Sequence, residues 1–130
     1  PVMINVPESL LTLYMSQLTV GFHNHRKLPA ADVREYRRQV VMMKSLALRN
    51  GELAPLRAGI EHALMNRAID CTRFYIGRFR VTSDWMRELM YFAWQAMGAD
   101  LRVQAVPVRD DVRIVNMALQ QWRELNSTRR

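Results

Sequence analysis

Seven basic side chains crowd the stretch between His23 and Arg49: Arg26, Lys27, Arg34, Arg37, Arg38, Lys44 and Arg49, against two acids, Asp32 and Glu35. This local excess of five supplies most of the net charge of +7, and the rest of the 130-residue chain adds only two. All but two of the 19 basic residues are arginine. A guanidinium presents a planar fork of donors that matches phosphate or carboxylate oxygens two at a time, so the chemistry on offer is recognition of an anion. A bias in genomic base composition would also enrich arginine everywhere, which makes the clustering more informative than the total. Clustered cations opposite a core stripe are the electrostatic footprint of phosphate-backbone contacts.

Other chemistry is thinner. His23, Asn24 and His25 stand just ahead of the cluster and can add hydrogen bonds from a surface loop. Two alternate histidines do not make a metal site by themselves, and no third His, Cys or carboxylate follows at a suitable spacing. A free amine on Pro1 could act as a general base, the chemistry on which the tautomerase superfamily depends. Those proteins are built on βαβ units, whereas the middle of this chain reads as helical, so the likeness stops at the first residues. Glu61, Asp70, Glu88 and Asp100 form no close pair for acid–base work, and neither a glycine-rich phosphate loop nor a Ser/His/Asp set is recognisable. Enzymatic activity and a cofactor are therefore not expected. Cys71 is the single cysteine and sits inside an apolar pattern, where it reads as a small core residue. With no apolar run of spanning length and no basic segment leading into one, the chain reads as cytoplasmic and without a membrane association.

These residues need elements to position them, and apolar spacing supplies the elements. Pro1 to Val6 suggests a short extended arm. Pro7 opens a helix in which Leu10, Leu11, Tyr14, Leu18 and Phe22 recur three and four apart, ending between Gly21 and Asn24. A second helix is expected from Ala30 to Arg49, stopped by Asn50-Gly51. In it Val33, Tyr36, Val40, Met43 and Ala47 span an arc of about 80°, with Arg34, Arg37, Arg38, Lys44 and Arg49 opposite. A third reads from Leu53 to Arg80, apolar over so much of its circumference that it should be central, with Gly77 marking a kink or an early end. Arg67 falls on its apolar side, which calls for pairing with a carboxylate such as Asp70 or for a place at an interface. Ser83 or Asp84 caps a fourth helix that stops at Gly98. Leu101 to Val108 alternates like an edge strand that could pair with Val2 to Val6. A last helix then starts at Asp110-Asp111 and carries Val112, Val115, Leu119 and Trp122 to about Asn126.

The expected fold class is mostly α, a compact bundle of about five helices in a single domain over residues 1–130, with a short two-stranded β element from the N-terminal arm and residues 101–108. Met86, Met90, Trp94 and Met97 share one side of the fourth helix. Flexible thioethers beside an aromatic suit an adaptable contact surface, which would make the protein a dimer or an adaptor, and they equally suit a methionine-packed core. The expected function is that of a small basic regulator or accessory factor holding nucleic acid. The alternatives are an adaptor or inhibitor docked on an acidic protein, and a structural subunit of a larger assembly.

Overall fold

A computed structural model of the chain describes residues 2–24, 28–98 and 105–127. Along them run β1 (Ile4–Pro7), α1 (Glu8–His23), α2 (Arg37–Arg49), α3 (Leu53–Met65), α4 (Ser83–Met97), β2 (Val112–Val115) and α5 (Leu119–Ser127), with 3-10 turns at Val33–Tyr36 and Cys71–Phe74. The architecture is mostly helical with a small two-stranded sheet, in line with the sequence reading.

Pro7 closes β1 in extended backbone and caps α1, which buries Leu10, Leu11, Tyr14, Met15 and Leu18. The second helix becomes α-helical only at Arg37, later than its apolar spacing suggests. Asp32 is the reason: its carboxylate accepts from the Arg34 N–H at 3.0 Å and caps a 3-10 turn, a local bond that competes with a continuous helix. Gly51, at φ 65°, ends the helix as Asn50-Gly51 predicts, and the Glu52 N–H reaches back to the Ala47 carbonyl at 2.8 Å.

The long third helix of the sequence reading is corrected: α3 stops at Met65, and residues 66–82 are irregular apart from the Cys71–Phe74 turn. Side chains stop it. Asn66 accepts from the Ala68 N–H at 3.1 Å, and Asp70 accepts from both the N–H and the hydroxyl of Thr72 at 3.0 and 2.7 Å. Arg87 of α4 donates to the carbonyls of Ala63, Leu64, Asn66 and Ile69. That guanidinium satisfies groups a continuing helix would have satisfied, and it places a cation at the negative end of the α3 dipole. Apolar residues beyond Met65 are therefore not a wide helical face; Cys71 and Phe74 enter the core between α1 and α4. Arg67 lies exposed, and Asp70 serves its own turn. Where α3 crosses β1 and α1, Gly59 permits the close approach, since a Cβ there would lie 2.8 Å from Val6 Cγ1 and 2.9 Å from Leu11 Cδ2.

Thr82, one residue ahead of the expected cap, receives the Trp85 N–H at 3.1 Å and starts α4. Met86, Met90, Trp94 and Met97 are at most 3% exposed. α4 packs on α2, α3 and both 3-10 turns, so its apolar arc is consumed inside the chain and the contact surface expected there is not exposed.

The N-terminal arm does join the C-terminal part of the chain, but the partner is corrected. β1 pairs in parallel with Val112–Val115, Ile4 opposite Val112 and Pro7 opposite Val115. Residues 101–104 lie outside the described residues, and 105–108 form no strand. Asp111 does not cap a helix, because Arg109 grips its carboxylate at 2.9 and 3.1 Å while its carbonyl accepts from Ile4 N–H. The β-branched run that follows is held as a strand, and α5 waits until Leu119.

Candidate functional site

α2 carries the basic residues. Its inner side buries Val40, Met43 and Ala47, with Tyr36 just ahead of it. At about 100° per residue, the opposite direction passes through Arg38, Ser45 and Arg49, flanked by Arg37, Val41 and Leu48 on one side and Met42 on the other. All seven are exposed. Arg38 and Arg49 are three turns apart, about 16 Å along the axis. Lys44 departs from expectation, half-buried at the border of the core side. Arg34 is exposed but its fork is in use, with Nε and Nη2 on Asp32 at 3.0 and 2.9 Å. Arg26 and Lys27 lie outside the described residues.

In its first turn the electrostatics of α2 run against helix stability, whereas Arg49 in the last turn suits the dipole. α1 and α4 carry an acid in the first turn, Glu8 and Asp84, as the positive N-terminal dipole favours. α2 carries Arg37 and Arg38 there, and no acidic residue along its whole length. Among the described residues, the ion pairs formed leave out Arg37, Arg38, Lys44 and Arg49.

His23 is not in a surface loop. It is 5% exposed at the last turn of α1, with Nδ1 at 3.3 Å from the Tyr75 hydroxyl and Nε2 in short contact with the Tyr36 hydroxyl. Phe22, Phe79 and Trp85 ring it. Both ring nitrogens thus meet phenols, and this side chain is turned inward from any phosphate. His25 lies outside the described residues.

The same cluster brings in two cations that the sequence reading missed. Arg78 donates to the His23 carbonyl at 3.1 Å and lies over the Phe79 ring, 4.9 Å from its centre, while Arg80 is exposed two residues on. Because His23 also touches Tyr36, the 78–80 loop and the start of α2 converge on one aromatic core. The only local signal was Arg-Phe-Arg after Gly77, hidden by reading that stretch as helix.

Two other charged clusters are structural. The Tyr14 hydroxyl donates to Glu52 at 2.6 Å, and Arg123 closes on the same carboxylate at 2.8 and 2.9 Å, joining α1, the turn after α2, and α5. Burial, then the Glu52 bond, pushes the Tyr14 phenol up to about 12. Glu61 accepts from the Trp94 indole at 3.1 Å and from Arg109 at 3.0 Å. Cys71 is buried, which raises its thiol above the usual range and suits a core role.

Among the described residues, no helix is long and apolar enough to cross a membrane, and no group of three His, Cys, Asp or Glu could hold a metal ion. No family model, curated protein or solved structure matches the chain.

Proposed function

We propose that this chain is a non-enzymatic, nucleic-acid-associated protein, a small regulator or accessory factor, that grips phosphates along the outer side of α2. One observation carries the reading: Arg37, Arg38 and Arg49 stand exposed on a helix with no acid, two of them in the turn where the dipole is already positive. A row of phosphates turns that unfavourable arrangement into a favourable one, because each phosphate neutralised releases condensed counterions. Arg78 and Arg80 extend the positive field from the neighbouring loop. Phosphate contacts carry no base readout, so binding should tolerate any sequence.

The test is fluorescence anisotropy with short mixed-sequence duplexes and single strands over a salt series. Affinity should fall linearly on logarithmic axes. In the triple variant Arg37→Glu, Arg38→Glu, Arg49→Glu the slope should flatten by about three, equally for every sequence. Its melting temperature should change little, since two of the new acids suit the first turn of α2 and the third, in its last turn, opposes the dipole. Absence of binding at about 50 mM salt would refute the reading.

One observation favours a second reading, docking on an acidic protein. Val41, Met42 and Leu48 are 57%, 62% and 57% exposed among the arginines, and aliphatic side chains add nothing to phosphate binding. Val41→Ser, Met42→Ser and Leu48→Ser together should leave duplex binding unchanged if phosphates are the partner. If a protein is the partner, the same variant should lose a stoichiometric companion captured from nuclease-treated native extract.

A further inference from the structure

We infer, on the basis of the phosphate-binding reading of α2, that the partner is single-stranded nucleic acid, whose unpaired bases pack on Val41, Met42, Leu48 and Ile76 while its phosphates meet the cations beside them. On α2 each of the exposed aliphatic side chains stands one turn on from a cation: Val41 follows Arg37, Met42 follows Arg38, and Leu48 follows the half-buried Lys44. At that spacing two side chains are neighbours on the helix surface, about 5–6 Å apart at Cβ. Cation and apolar contact therefore repeat in pairs along the helix, as phosphate and base repeat along a strand.

The loop at residues 75–80 offers the same combination in a fixed frame. The Tyr75 ring folds back over Gly77, where a Cβ would lie 2.3 Å from the hydroxyl, and that hydroxyl accepts from the Phe79 N–H at 3.3 Å and meets Nδ1 of His23. Tyr75 and Phe79 are thereby drawn inward and half-buried, while Ile76, Arg78 and Arg80 are left exposed, Ile76 to 57%. A β-branched side chain on so fixed a backbone has little freedom left to lose on binding. Tyr36, immediately before Arg37, shares His23 with Tyr75, which keeps this loop next to the N-terminal end of α2.

A duplex offers these aliphatic groups little. Its base faces are stacked on one another, and the base edges in its grooves present chiefly donors and acceptors. On the outer side of α2 only Ser45 has a neutral polar group to answer them. An unpaired strand exposes base faces, on which apolar side chains and guanidinium planes pack with little regard to sequence. A lipid surface would call for an apolar face segregated from a charged one, whereas on α2 the two kinds of side chain share one exposed arc.

The probes are a labelled mixed-sequence strand of about 12 nucleotides, a length in the range that single-strand binders cover, made as DNA and as RNA, and an abasic DNA strand of equal length. The base-bearing strand should bind about tenfold or more tighter than the abasic one, which carries the same phosphates, and the tighter of DNA and RNA names the sugar. In the variant Val41→Ser, Met42→Ser, Leu48→Ser, Ile76→Ser that margin should vanish, while the salt slope, duplex binding and the melting temperature change little. The triple glutamate variant of α2 should instead flatten the slope for both strands. Equal affinity for the base-bearing and abasic strands with the slope intact overturns the proposal and leaves phosphate binding standing, whereas no binding to any strand or duplex overturns both. The proposal is also overturned by a serine variant that keeps the margin, or by one whose only loss is of binding to vesicles of phosphatidylcholine and phosphatidylserine or of a captured protein.

Discussion

Tyr14 shows how much a single residue can carry without being visible from its neighbours in sequence. Its hydroxyl is buried against Glu52, 38 positions away, and Asn50 donates to it at 3.1 Å. The unfolded chain releases this phenol proton near pH 10, whereas the folded chain holds it to about 12. The folded state therefore binds more protons across that window, and stability falls as pH rises through it. The loss attributable to Tyr14 amounts to about 2–3 kcal/mol. In Tyr14→Phe that part of the stability–pH profile, measured by denaturant titration, should flatten between pH 10 and 12. An unchanged slope would assign the effect to another group. His23 makes the same point about legibility: as one of three polar residues after a helix it reads as loop, because Tyr36, Tyr75, Phe79 and Trp85 assemble around it only in three dimensions.

At the scale of elements, α1 and α4 were legible because their apolar spacing agrees with the residues that bound them, Pro7 before α1 and Gly98 after α4. The outer side of α2 was legible for the same reason, although its start was not, since Asp32 diverts the chain through a local bond. The third helix was overread because its terminator stands on another element. Arg87 reaches from α4 to four carbonyls at and beyond the end of α3, and no pattern within residues 53–80 announces that. Arg87→Ala should cost about 2–3 kcal/mol, since several part-buried acceptors lose their donor together. Arg87→Lys keeps a cation at the helix end but cannot fork, so it should recover only a minor share. Chemical denaturation of both variants checks this, and full rescue by lysine would mean that charge alone matters. The methionines of α4 were ambiguous for a simpler reason: burial in one's own chain and burial against a partner leave the same apolar arc.

The whole molecule is closed by contacts between its two ends. β1 and β2 align side by side, and the Trp122 indole of α5 donates to Asn5 of β1. That the ends meet was legible from their β-branched residues; which segments meet was not, because both 101–108 and 112–115 contain suitable runs and register depends on the bundle between. Trp122→Phe keeps most of the apolar volume but removes the donor, a loss of about 1 kcal/mol. Hydrogen exchange should then accelerate in β1 and α5 together, as expected of two elements that hold each other. Acceleration confined to α5 would show that the ends are independent.

The parallel sheet also sets an order of events during synthesis. Ile4 and Val112 are 108 positions apart, and a ribosome adding roughly 5–20 residues per second takes about 5–20 s to cover that interval. Throughout it β1 has no ladder partner, while α1, α2, α3 and α4 are made in turn, all of them before β2. The nascent chain therefore passes through a helical stage with its first strand unpaired, and a chaperone or a premature neighbour would meet the protein at that strand.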